Sequence, residues 1–195
     1  MDKTLFWEIN HSNCDNYWLT GSNLSDVLNY HCLTNVSNKK VLEIGIGFGT
    51  MTEQLHLANN EVFACDISTE ALKKVETFAK IYTTEQLDAI EPVDLAISHL
   101  VFQHCDDDEI ERIIKSVNLK ENGIFSFQFA WIRKDDPPNS TVQQYINNKT
   151  HHFRDLETVK QMVEKSNKRI CFISEPMHFY QPENFSWYIV KICNK

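Results

Sequence analysis

Glycine and proline are scarce in this chain: its 195 residues hold 5 of each, whereas glycine alone makes up roughly 7% of an average protein. There is no low-complexity tract and no internal repeat. No stretch approaches the ~20 apolar residues that a membrane-spanning helix needs. The six cysteines (Cys14, Cys32, Cys65, Cys105, Cys171 and Cys193) include no C-x-x-C pair. That spacing underlies most tetrahedral structural zinc sites, so no metal is expected. Basic residues are outnumbered, with 19 Lys and Arg against 27 Asp and Glu and a formal net charge of −8. A balance of that sign argues against nucleic acid or an anionic membrane as partner. The opening residues Met1-Asp2-Lys3-Thr4-Leu5-Phe6-Trp7-Glu8 lack the basic flank and apolar run of a secretory leader. Together these absences predict a reduced, soluble, cytoplasmic protein.

What is present suits one domain: the length is ordinary for one, and 42% apolar residues suffice for a core. Residues 1–38, rich in Asn, Ser and aromatics, read as an N-terminal cap or lid segment. Within it a helix is expected from about Ser22 to Leu33, with Leu24, Val27, Leu28 and His31 on one face. Residues 39–195 form the main domain. The pattern predicts strand Val41–Ile44, helix Thr50–Ala58, strand Glu61–Cys65 ending at Asp66, and a helix from an N-cap at Ser68 to about Lys80. A brief strand at Ile81–Thr84 and a longer one at Val93–Ser98 follow. The acids Asp106–Glu109 open a helix at its positive dipole end, continuing to Leu119. Gly123 precedes strand Ile124–Phe129. After an irregular stretch with Pro137-Pro138 come a helix at about Asp155–Asn167 and strands Ile170–Ser174 and Trp187–Ile192. Alternating strands and helices predict an α/β fold with a mostly parallel sheet. The last two strands lack a helix between them, so the final strand is expected to run antiparallel.

Three of the five glycines fall within Val41-Leu42-Glu43-Ile44-Gly45-Ile46-Gly47-Phe48-Gly49-Thr50. This is a strand-to-helix turn at the first crevice of a doubly wound sheet, where ligands bind beyond the strand ends. Asp66, at the end of the second strand, lies 19 residues past Gly47 and is placed to accept hydrogen bonds from a ribose. A dinucleotide loop would read G-x-G-x-x-G, but position 50 is Thr and the third glycine comes one residue early. Glu43 would repel a pyrophosphate and suits an ammonium-bearing cofactor, which describes S-adenosylmethionine. No G-x-x-x-x-G-K-[ST] occurs, so a P-loop is excluded. Taken singly, the glycines could form only a tight turn and Asp66 only a helix cap; their joint order is what points to a nucleoside.

Glu43-x-Gly45-x-Gly47-x-Gly49, with Asp66 after the second strand, resembles the class I S-adenosylmethionine-dependent methyltransferases over roughly residues 39–130. The resemblance implies a doubly wound seven-stranded sheet of order 3-2-1-4-5-7-6 with strand 7 antiparallel and an N-terminal helical cap. It further implies that Gly45, Gly47 and Gly49 line the methionine moiety with Glu43 at its floor. Asp66 would hold the ribose hydroxyls, Ile67 would pack on adenine, and Thr84 or Glu85 would contact the adenine edge.

Asp94-Leu95-Ala96-Ile97-Ser98-His99-Leu100-Val101-Phe102-Gln103-His104 resembles the corresponding stretch of small-molecule methyltransferases, in which the backbone at Ser98 and His99 would border the methionine part. His104 is then the candidate general base, since a histidine pKa near 6.5 suits removal of a hydroxyl proton at neutral pH; the alternative is that it packs on the following helix. Trp18, Trp131, Arg133, His152 and Tyr180 fall where this fold builds its acceptor pocket. Trp7, Tyr17 and Trp18 form either part of a lid or a plain hydrophobic cap. The acids of magnesium-dependent catechol enzymes are replaced by His99 and Phe129-Ala130. Asp136-Pro137-Pro138-Asn139 follows strand five instead of strand four, unlike the motif of enzymes that methylate amino groups of nucleic acid. The expected reaction is methyl transfer to a small-molecule acceptor, at a hydroxyl of a sugar or other metabolite. The rivals are N-methylation of a small amine, a nicotinamide-dependent oxidoreductase, and a non-catalytic S-adenosylmethionine-binding module.

Overall fold

The computed structural model describes residues 2–13, 21–132, 152–176 and 185–195. Its strands form a seven-stranded sheet in the order β3-β2-β1-β4-β5-β7-β6, which is the predicted order. The chain divides into two compact units, Met1–Ile97 with Val117–Gly123, and Ser98–Ser116 with Ile124–Lys195.

The first unit begins with α1 (Lys3–Asn13) and α2 (Gly21–Tyr30), followed by β1 (Lys40–Ile44), α3 (Thr50–Leu57), β2 (Glu61–Asp66), the short α4 (Thr69–Lys73), β3 (Lys80–Thr83) and β4 (Val93–Ser98). β1 and β2 pair in parallel with Leu42 opposite Phe63 and Ile44 opposite Cys65. β2 and β3 also pair in parallel, with Asp66 opposite Thr83. Near-continuous apolar strands of this kind are buried on both faces, and Val41, Leu42, Phe63, Ala64 and Cys65 are all at most 1% exposed. Leu24 and Val27 of α2 and Met51 and Leu55 of α3 pack with Val41, Val62 and Ile97 in one cluster. A second cluster joins Ile46, Ala64, Ala71, Leu72 and Val75.

One expectation in this unit needs correction. The helix opened by Ser68 ends at Lys73 and not near Lys80, because the amides of Phe78 and Ala79 both bond back to Val75 O. Buried Val75 anchors that irregular turn, and β-branched Val75 and Thr77 favour the helix little. Residues Thr84–Ala89 then form a 3₁₀ turn that the pattern did not predict.

The second unit holds a 3₁₀ turn at Phe102–His104, then α5 (Asp107–Ser116), most of β5 (Leu119–Ile132), α6 (Leu156–Lys165), β6 (Lys168–Ile173) and β7 (Phe185–Asn194). β7 runs antiparallel to β5, with Phe125 opposite Ile192, and antiparallel to β6, with a register shift between Ile170 and Phe172. The start of α5 is a reciprocal cap: Asp106 N–H donates to Glu109 Oε2 and Glu109 N–H to Asp106 Oδ1, both at 2.8 Å. Ile110, Ile113 and Ile114 of α5 are its buried face, the spacing of an amphipathic helix. Asp155 caps α6 by accepting the Thr158 N–H at 2.8 Å. Phe102, Phe125 and Phe127 bring their ring centroids within 4.9–6.1 Å of one another; each buried ring contributes about 1.5–3 kcal/mol. β5 starts at Leu119, before Gly123. A Cβ on Gly123 would stand 2.8 Å from Val93 O and 3.0 Å from Lys120 N, so glycine serves close backbone approach there and does not mark the strand's start.

Candidate active site

In the first unit the turn after β1 is a backbone cradle. Gly45, Gly47 and Gly49 have φ of 77°, 55° and 78°, a region L side chains rarely adopt. At Gly49 a Cβ would also strike Val75 Cγ1 at 2.4 Å, so this glycine lets the turn before α3 pack closely. At Gly47 the space beyond the missing Cβ is open, as a turn that faces a ligand requires. Gly45 N–H bonds to Cys65 O at 2.7 Å, which ties the cradle to β2, and Gly49 N–H bonds to Ile46 O at 2.8 Å within the turn.

Asp66 stands at the end of β2, 4% exposed. Its Oδ1 accepts the Ser68 N–H at 2.9 Å and its Oδ2 the Gly47 N–H at 3.2 Å. Burial pushes its carboxyl above the usual range, opposed by the Ser68 N–H, by His11, and by the Gly47 and Ile46 N–H groups. Ile67 follows it, half-buried. Thr84, one residue past the strand partner of Asp66, is half-buried and donates to Glu85 Oε1 at 3.2 Å; Glu85 itself is exposed. Glu43 is 2% exposed, and its Oε2 accepts the Thr52 hydroxyl at 2.6 Å, which locks β1 to α3. Burial pushes its pKa up to about 8, against the Thr52 bond and with the Asp66 charge adding to the rise.

Sequence reasoning missed two residues of α1 that reach this cradle. Glu8 Oε1 accepts the Thr69 N–H at 2.7 Å and the Thr69 hydroxyl at 2.9 Å, and its Oε2 accepts the Ser68 hydroxyl and the Glu70 N–H at 3.1 Å. What little burial it has raises the Glu8 carboxyl, but those bonds outweigh it and hold the group below its ordinary range. His11 is 7% exposed, stacked on Trp7 at 5.6 Å and edge-on to Phe48 at 5.7 Å. Lys74 Nζ lies over the Phe48 ring, 5.1 Å from its centroid.

In the second unit the chain leaves β4 through Ser98, His99 and Leu100. Leu100 has φ of 58°, a strained conformation of the kind that gathers at functional sites. Two buried glutamines hold it. Leu100 N–H donates to Gln128 Oε1 at 3.1 Å, and Gln103 Nε2 donates to Leu100 O at 2.8 Å. Those two bonds fix the amide orientations, and Ser98 Oγ, Gln103 Oε1 and Gln128 Nε2 are left buried without a hydrogen-bond partner among the described residues. Burial alone pushes His99 down to about 3, so it is neutral and too weak to act as a base at neutral pH.

His104 is half-buried, with Nε2 3.2 Å from Gln103 Nε2. The amide can only donate, so Nε2 accepts and the ring proton sits on Nδ1. His152 joins the same residue, its N–H donating to Gln103 O at 2.6 Å. The structure therefore brings the His152 backbone to Gln103, whose side chain touches His104. Trp131 lies near the end of β5, edge-on to Tyr188 at 5.6 Å. Arg154, also missed, is 6% exposed and braces the turn: Nε donates to Asp107 Oδ1 at 2.7 Å, and the two terminal nitrogens donate to Phe102 O at 3.0 Å and Cys105 O at 2.5 Å. Trp18, Arg133 and Tyr180 lie outside the described residues. Among the described residues no three His, Cys, Asp or Glu side chains gather to hold a metal, and no helix is long and apolar enough to cross a membrane.

Residues 41–123 match a family described as "Methyltransferase domain". No curated protein sequence matches the chain. Among solved structures, magnesium protoporphyrin IX methyltransferase from Synechocystis PCC 6803 is similar at a TM-score of 0.68 and 14% identity, over 99% of this chain and 95% of that one. A S-adenosylmethionine-dependent methyltransferase from Methanosarcina mazei gives 0.63 and 16%, over 93% and 99%. A phosphoethanolamine N-methyltransferase from Haemonchus contortus gives 0.66 and 16%, over 98% of this chain but 57% of that one. Residues 41–123 thus match a methyltransferase domain, and the sheet order is that of the class I, Rossmann-like methyltransferase fold.

Proposed function

We propose that this protein transfers the methyl group of S-adenosylmethionine to a small-molecule acceptor, at a hydroxyl of a sugar or other metabolite. The observation that carries the reading is the cradle of three left-handed glycines beside a buried Asp66. It offers backbone and a carboxylate to a nucleoside, and a buried Glu43 in place of any phosphate-binding group. Gly45, Gly47 and Gly49 hold the methionine part, Asp66 the ribose hydroxyls, and Ile67 with Thr84 or Glu85 the adenine. The bound cofactor supplies a methyl group on a sulfonium, which departs as a neutral thioether.

Little chemistry then falls to the protein. Its residues align the acceptor, which can be worth several orders of magnitude in rate, and keep water away. For a hydroxyl acceptor one proton must also go, and His104 Nε2 takes it once that nitrogen exchanges Gln103 for the acceptor oxygen. Trp131 and His152, with Trp18, Arg133 and Tyr180, are the proposed acceptor contacts. The Gln103–His104 contact also supports a second reading, N-methylation of a small amine, because an amine attacks with its own lone pair and leaves His104 undisturbed.

A methyl-transfer assay across hydroxylated and amine acceptors, read as S-adenosylhomocysteine release, separates the two. On the first reading His104→Gln removes turnover and leaves S-adenosylhomocysteine affinity unchanged; full activity in that variant contradicts the role given to His104. Binding of S-adenosylmethionine with no transfer to any acceptor favours a non-catalytic module.

A further inference from the structure

Helix α1 meets the glycine turn and the Asp66–Ser68 turn at once. Glu8 fixes it there through its four bonds to Ser68, Thr69 and Glu70. The same Ser68 gives its N–H to Asp66 Oδ1, so one residue links the carboxylates of Glu8 and Asp66. Three positions after Glu8, His11 lies on the same helical face as Trp7 and is buried against Trp7 and Phe48. Phe48 sits between Gly47 and Gly49, and the Gly47 N–H is the other donor to Asp66.

A buried imidazole nitrogen normally finds a hydrogen-bond partner, because leaving it without one is costly. His11 Nδ1 is buried and has no hydrogen-bond partner among the described residues. Burial holds the ring below its ordinary pKa; Lys74 acts in the same direction, while Asp66 and Glu8 oppose it. A neutral ring beside a carboxylate is suited to a neutral hydroxyl.

We propose that α1 forms a wall of the cofactor site and that His11 Nδ1 pairs with a hydroxyl of the ribose held by Asp66, with Glu8 as the positioning residue. The proposal rests on the cofactor reading above. It assigns α1 a binding role, beyond that of a passive cap, and the ligand chemistry is the vicinal diol of a nucleoside.

Calorimetric titration with S-adenosylhomocysteine, and with the same molecule lacking its ribose hydroxyls, tests it. His11→Phe keeps the ring packing and removes Nδ1. It is expected to weaken S-adenosylhomocysteine by about tenfold, the scale of one hydrogen bond, and to leave the deoxy analogue unchanged. Glu8→Ala is expected to erase the same discrimination, with no further loss when both substitutions are combined; this variant carries the test if His11→Phe does not fold. Equal losses on both ligands, or no loss, overturn the proposal. If the unmodified protein fails to bind S-adenosylhomocysteine at all, it is the cofactor reading that has failed.

Discussion

Glu43 occupies the middle of β1, where every neighbouring position is apolar and buried. Its proton is held until about pH 8, well above the ordinary carboxyl value of 4.5. Between those two values the folded chain binds a proton that the unfolded chain has lost, so stability falls as pH rises through the window. The contribution is complete below the ordinary value and gone above the folded one. Asp66, also pushed upward, adds to the same slope, whereas Glu8, Glu91 and Asp94 are held low and act below it. Urea unfolding followed from about pH 5 to about pH 9 is expected to show a falling midpoint, and Glu43→Gln a distinctly shallower fall. An unchanged slope in the variant contradicts the assignment of the proton to Glu43. The motif made this acid visible, but its bond to Thr52 was not, because a side-chain contact nine residues away leaves no trace in spacing.

At the scale of elements, legibility followed the strength of the local signal. The strand Val93–Ser98 appears where it was expected, and the acids at Asp106–Glu109 proved to be a reciprocal helix cap. Helix α1 was not legible as an amphipathic helix. Its apolar Leu5, Phe6 and Ile9 are exposed while polar His11 is buried, so an apolar-stripe reading runs against the packing. Arg154 was invisible for a related reason. It lies just after a polar, irregular stretch, and its partners Asp107, Phe102 and Cys105 are about 50 residues away. A buried guanidinium with an ion pair and two carbonyls is costly to break from one side. Asp107 is exposed, so what Arg154→Ala strands is the carbonyls of Phe102 and Cys105, and it is expected to destabilise the second unit by about 2–3 kcal/mol, read from the denaturant midpoint. Lysine should not restore it, since one ammonium cannot reproduce the fork. A change below about 1 kcal/mol in the alanine variant would mean that the bracing is not structural.

At the scale of the whole molecule, alternating strands and helices with a hairpin at the end made a mostly parallel sheet with an antiparallel last strand readable, and the resemblance carried by Glu43–Gly49 and Asp66 implied its order, which the structure shows. The glycine turn and Asp66 at the end of β2 were readable because left-handed glycines and an acid accepting turn N–H groups are demands on the backbone, and sequence records such demands directly. The surroundings of the turn after β4 were not, since Gln103, Gln128 and His152 meet there from separate segments through tertiary hydrogen bonds. The central claim is that the glycine turn and Asp66 hold S-adenosylmethionine and not a dinucleotide. Parallel calorimetric titrations of the purified protein with S-adenosylmethionine and with NAD⁺ test it most directly. Saturable binding of S-adenosylmethionine at one site, weakened by Asp66→Ala, with no heat from NAD⁺, is the expected result; saturable binding of NAD⁺ with none of S-adenosylmethionine would contradict the account.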